Sequence, residues 1–145
     1  MKKFELTNEF ITNMFGTKLF RIRALVEFGD VEAGELGGYV EKESNLGHDD
    51  NAWVYGNALV CSDEDYAYAH GFGSVNRTTT FFRLKDGGVG VRCGCFYGTL
   101  AQFRDKIRET HGETKKAQEY LMLADLMELR FEEDENEVGN RKYVE

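Results

Sequence analysis

The chain has 145 residues, 41% of them hydrophobic, with sixteen glycines and no proline. That is enough for one domain with a real core. The formal net charge of −8 and a pI near 5.0 exclude a sequence-independent grip on long nucleic acid, which needs a basic surface to displace counterions.

A small anionic ligand is still compatible with this charge, because a local group of arginines can hold one or two phosphates inside an acidic protein. The opening Met-Lys-Lys-Phe-Glu has no apolar run behind its lysines, so neither a secretory signal nor a membrane span is expected. Three cysteines, an odd number, do not make a disulfide framework. Reduced thiols and a cytoplasmic protein are expected.

Taken in chain order, Leu6, Phe10, Ile11 and Met14 have helical spacing. They predict a short amphipathic helix over Phe4 to Phe15, ended by Gly16. Leu19 to Phe28 alternates as a strand, with Arg21 and Arg23 on one face and Phe20 and Ile22 on the other. From Val40 a weak repeat begins: Val40, Leu46, Ala52 and Ala58 are six apart, and Asn-Ala-x-Val occurs at Asn51 to Val54 and again at Asn57 to Val60. A six-residue period suits a left-handed parallel β-helix, but the stretch allows only about one turn, which cannot bury its own face. Two short strands with a turn at Gly56-Asn57 are the other reading.

Cys61 to Ser74 reads as an acidic loop with a short strand near Tyr66 to Ala69. Thr78 to Lys85 is rich in β-branched and aromatic residues and reads as a strand. Asp86-Gly87-Gly88 supplies a hairpin turn, and Val89 to Tyr97 returns with Val89, Val91, Cys93 and Cys95 on one face. Thr99-Leu-Ala-Gln102 has the form of a capping box. A helix then runs from Leu100 to about His111, with Gly112 as its stop. Thr114 to Phe131 predicts the longest helix, followed by an acidic run, Glu132 to Glu137.

The fold class expected is α+β. An antiparallel sheet with a short β-helix-like hexad region is packed by an N-terminal helix and two C-terminal helices. One domain spans 1–145: 1–75 holds the first helix, strand and hexads, 76–131 the hairpin and two helices, and 132–145 an acidic tail.

No motif pairs a nucleophile with a base, and Gly87-Gly88-Val-Gly90 leads into a strand instead of a helix, so it does not cradle a phosphate. Cys93-x-Cys95 is half of a zinc site without a second pair. It reads better as small core thiols, and neither a metal nor a cofactor is expected. Phe81 and Phe82 point to opposite faces of their strand. An exposed ring there, flanked by Arg77, Arg83 or Arg92, would suit a purine and its phosphates. Thr110 and His111, at a helix end, could add ligand donors. Each arginine taken singly also reads as a solvated surface residue, and His111 as an ordinary cation at a helix C-terminus.

Leu19-Phe-Arg-Ile-Arg-Ala, Gly34 to Leu46 and Asn51-Ala-Trp-Val-Tyr-Gly56 resemble a group of phage proteins that often continue into many β-helix hexads. Thr80-Phe-Phe-Arg83, Cys93-Gly-Cys-Phe-x-Gly-Thr99, Phe103 and Thr110-His-Gly112 resemble the end of the same proteins. In these segments the chain resembles the first Thoeris anti-defence family, phage "sponge" proteins that sequester cyclic ADP-ribose isomers and some cyclic oligonucleotides and assemble as oligomers. The resemblance implies that Phe82 stacks on adenine. It also implies that Arg108, Thr110 and His111 are donors at the helix end; Arg92, Arg108 and Thr110 are expected to hold the diphosphate, with Arg77 as a further candidate. Glu109 stands where an arginine would be expected, and the hexads are few.

The expected function is therefore a non-enzymatic, homo-oligomeric phage protein that holds a cyclic nucleotide signal. An acidic protein-binding inhibitor of a bacterial defence complex, akin to an anti-CRISPR, is the alternative suggested by the charge.

Overall fold

The structure is a computed structural model and describes residues 2–13, 16–72 and 77–132. Two four-stranded sheets of mostly antiparallel strands and two helices give the α+β class that the element pattern predicts. The first sheet runs β1 (Phe4–Thr12), β2 (Lys18–Ala24), β3 (Leu36–Val40) and β4 (Leu59–Val60), in that spatial order. The second runs β5 (Tyr66–Phe72), β6 (Arg77–Arg83), β7 (Val89–Cys93) and β8 (Phe96–Thr99), antiparallel throughout. Helices α1 (Leu100–His111) and α2 (Lys115–Phe131) follow.

The N-terminal segment is a strand and not the expected helix. β1 pairs antiparallel with β2, matching Leu6 to Ile22 and Phe10 to Phe20, with a register shift between. Exposed Asn8 lies within that shift and leaves the apolar alternation incomplete. The remaining spacing of four between Leu6 and Phe10 imitates a helical face. Thr7 holds the irregularity, donating from its hydroxyl to the Arg21 carbonyl at 2.8 Å. Met14 and Phe15, the end of the expected helix, lie outside the described residues.

Lys3 clamps β1 to the loop beyond β3. Its buried ammonium donates to the Ala52 carbonyl at 2.7 Å and to the Asp50 carboxylate at 3.1 Å, and lies over the Phe28 ring. Burial pulls the Lys3 amine below its ordinary range, and the Asp50 charge opposes that pull.

The six-residue repeat marks the core. Val40, Leu46, Ala52 and Ala58 all belong to one buried cluster centred on Trp53. Parallel pairing is limited to Tyr39 with Leu59 and Val40 with Val60. Between them the chain makes a 3-10 turn at Glu43–Asn45 and irregular backbone. A β-helix coil is not among the described elements. Phe82 of β6 enters the same cluster, and the Thr80 hydroxyl accepts from the Trp53 backbone N–H at 3.1 Å, so this core joins the two sheets.

The hairpin forms as expected, but its second arm breaks. Gly94 has φ +61, a conformation that favours glycine. The chain reverses there, so residues 89–97 form β7 and part of β8 in place of one strand. The short strand expected near Tyr66 to Ala69 is β5, which starts at Tyr66, extends to Phe72 and pairs antiparallel with β6.

Helix α1 starts at the predicted capping box. The Thr99 hydroxyl accepts from the Gln102 N–H at 3.2 Å, and the Gln102 side chain accepts from the Thr99 N–H at 2.9 Å. Leu100, Phe103 and Ile107 form its buried stripe, and Gly112 caps its end, donating to the Arg108 carbonyl at 3.0 Å. Both helices lie on the outer face of the second sheet, over Phe81, Val91 and Cys93. Arg104 of α1 ties them together through Asp125 and Glu128 of α2, each at 2.7 Å. Among the described residues no helix is long and apolar enough to cross a membrane.

Candidate functional site

Strand β6 alternates, so its two faces carry different chemistry. Arg77, Thr79 and Phe81 face the helices, whereas Thr80 and Phe82 face the first sheet. On the helix side a cleft of about 150 Å³ opens between the β7–β8 turn and the last turn of α1. Phe96 and Phe103 form an apolar wall, Arg77 and Lys106 bring cations, and Thr110 and His111 stand at the rim. Cys93, Cys95 and Tyr120 complete the lining.

The local folding explains this convergence. The turn at Gly94 sets Phe96 directly opposite Cys93, on the helix-facing side. The stripe of α1 that buries Phe103 and Ile107 carries Lys106 and Thr110 to its edge. His111 lies near Tyr120, with ring centroids 6.0 Å apart. A helix C-terminus presents carbonyl oxygens and roughly half a negative charge, which repels an anion. Positive charge in this cleft therefore has to come from side chains, and Arg77 and Lys106 carry a full unit each.

Tyr120 reaches the floor from α2. Burial is the main cause that pushes its phenol well above the ordinary range, and the neighbouring Cys93 thiol adds to it. The folded state thus keeps the proton that an unfolded chain begins to release near pH 10. Stability contributed by the neutral phenol is whole below that pH and is lost as pH rises above it. In an alkaline titration followed at 295 nm, one of the seven tyrosines is expected to stay protonated until the protein unfolds. Tyr120→Phe should remove that late step while the earlier tyrosine absorbance change persists.

The six residues expected to bind ligand divide between two faces and the surface. Arg77, Thr110 and His111 meet in the cleft. Phe82 does not join them. It is fully buried in the inter-sheet core, and Tyr97 stacks beside it with centroids 6.3 Å apart and planes within 13°. The expected exposed ring is therefore not Phe82, since Phe81 and Phe82 are both sealed on their respective faces.

Arg92 lies on the Phe82 side of the sheet, where it is engaged by Glu35, by the carbonyls of Gly94 and Asp30, and by the Tyr55 ring. Arg108 projects from the exposed side of α1 and pairs with Asp105 at 3.5 Å. Arg83, the other arginine beside the ring, is buried against Asp65 and the Phe131 ring.

Phe96, Lys106 and Tyr120 were the residues that sequence reading missed. Unbroken alternation through Cys93-Gly-Cys95 assigns Phe96 to the wrong face. Reading that glycine as a reversal would have placed the ring correctly. Cys95 is exposed in the turn and does not share a strand face with Cys93. Among the described residues no group of three or more His, Cys, Asp or Glu is placed to hold a metal ion.

Compared with family models, curated proteins and solved structures, the chain matches none.

Proposed function

We propose that this chain binds and holds a small phosphorylated nucleotide signal in the cleft between the β7–β8 turn and the end of α1. The observation that carries the reading is the meeting of Arg77, Lys106, Thr110 and His111 around the Phe96 wall. An apolar ring face with a few convergent donors is the usual make-up of a small-molecule site, and guanidinium and ammonium groups suit phosphate. The ring role assigned to Phe82 passes to Phe96 in this reading. The resemblance to the Thoeris sponge proteins names the ligand class, a cyclic ADP-ribose isomer, with cyclic oligonucleotides as a second class. It also supplies the phage anti-defence role in the host cytoplasm. Capture without conversion is part of the proposal, as the lining has cations and hydroxyls suited to retention.

A cleft of about 150 Å³ is smaller than the roughly 300–1,000 Å³ of typical ligand sites. It admits one ring or one phosphate-bearing sugar, and the rest of a cyclic dinucleotide-sized ligand would lie outside it. A homo-oligomer would supply the remaining walls. Met122, Leu126 and Leu129, 54–70% exposed along one stripe of α2, are an apolar surface suited to a second copy.

The test is capture and release. Protein in excess is incubated with a cyclic ADP-ribose isomer, the free ligand is measured, and the protein is then denatured by heat. Depletion followed by return of intact ligand is expected. Arg77→Ala should weaken capture at least about tenfold, the usual scale for losing a charge-assisted hydrogen bond. A chemically altered ligand would show an enzyme, and no depletion would overturn the reading.

A further inference from the structure

Arg77 lines the cleft, but the acidic partner it has among the described residues lies outside it. The Asp30 carboxylate sits 3.6 Å from Arg77 Nε. That separation is an ion pair and exceeds a hydrogen bond, and Arg77 Nε is buried with no acceptor among the described residues. The guanidinium rests against the β7–β8 turn so closely that a Cβ on Gly94 would come within 2.8 Å of it.

Asp30 is equally fixed. It occupies a tight turn closed by Phe28 and Val31, whose backbones exchange hydrogen bonds at 3.0 and 2.8 Å. Its own carbonyl accepts from Arg92 at 3.3 Å. The other cation of the cleft, Lys106, also has an acidic neighbour, Glu109 at 3.8 Å on the exposed surface of α1.

We infer that Asp30 is a specificity-determining residue of the cleft, holding the Arg77 charge in check so that a bare anion gains little there. The inference rests on the cleft being the ligand site. A phosphate entering the cleft offers the Arg77 guanidinium an acceptor, but it does so against the standing attraction of Asp30. The hydrogen bond and the lost Coulomb contact partly offset one another. Net affinity then depends on what else the ligand brings, chiefly a ring to lie on Phe96. Asp30 lowers the phosphate contribution for every phosphate ligand alike, so inorganic phosphate, with no ring to lie on Phe96, is held only weakly. Asp30 touches no ligand in this scheme and acts through Arg77 alone.

Calorimetric titration with AMP, adenosine and inorganic phosphate separates the possibilities. Asp30→Asn keeps the size of the side chain and removes its charge. It is expected to tighten AMP by about two- to fivefold, the range of a partly exposed ion pair, and to leave adenosine unchanged. In an Arg77→Gln background the gain should vanish, since the charge that Asp30 restrains is then gone.

Equal affinity of wild type and Asp30→Asn for AMP would overturn the inference while leaving the cleft as a ligand site. So would a gain that adenosine shares, or one that survives Arg77→Gln. Failure of both proteins to bind AMP would overturn the inference and count against the cleft itself.

Discussion

Phe82→Ala is expected to destabilise the protein by about 3–5 kcal/mol, the usual cost of truncating a buried phenylalanine. Phe82 is wholly excluded from solvent in the core that joins the sheets. Its edge lies so close to Gly90 that a Cβ there would approach within 2.5 Å. On another side it meets Tyr97. Truncation leaves a cavity bounded by two sheets, which cannot both close inward. Denaturant unfolding followed by the fluorescence of Trp53, the one tryptophan of the chain, measures the loss directly. The same variant tests the division of roles: at temperatures where it remains folded, it should capture the cleft ligand as wild type does. A folded Phe82→Ala protein with weakened capture and undiminished stability would restore Phe82 as a stacking residue.

Gly37→Ala comes second, at about 3 kcal/mol, the upper range for forcing extra volume into a packed interior. A methyl group at this position would lie 2.7 Å from the Val54 carbonyl oxygen and 2.8 Å from both Ile22 and Trp53. None of the three can retreat easily. The Val54 oxygen accepts the Gly38 N–H at 3.0 Å, and the side chains of Ile22 and Trp53 are at the centre of the core. The midpoint of urea unfolding should fall, with Trp53 emission shifted in the folded baseline as its ring is displaced. An unchanged midpoint would mean that β3 can slide away from the Trp53 segment, against the close packing described here.

Local signals in the sequence carried the second half of the fold. The capping box at Thr99, the apolar stripe of α1 and the glycine stop at Gly112 each act within a few residues, and each appears where its chemistry predicts. Strand β1 was hidden because its identity depends on β2 and on a register shift that only pairing reveals. The six-residue repeat correctly identifies inward-facing positions, as Val40, Leu46, Ala52 and Ala58 are all buried. It does not specify the coil, because the same inward pattern is satisfied by irregular chain folded over Trp53.

In the cleft, Arg77, Thr110 and His111 could be named from the sequence, but their partners could not. Arg92 and Phe82 each lie one residue from a group that does reach the helix side, Cys93 and Phe81 respectively, and strand parity alone sends them to the other face. One glycine with positive φ then moved Phe96 into the place that parity had denied it.

The pairing of Val40 with Val60 has a kinetic consequence. These partners are separated by twenty positions of mostly irregular chain, and bringing such ends together costs about 3 kcal/mol of chain entropy plus a constant. The contacts that repay it, the two strand pairs, the Trp53 cluster and the Lys3 clamp, form only after closure. The hairpin of β6 and β7, with a turn of a few residues, has no such delay. The segment carrying the lone indole is therefore expected to dock after the hairpin of β6 and β7 forms, and the slowest optical phase of refolding should be the one that Trp53 reports.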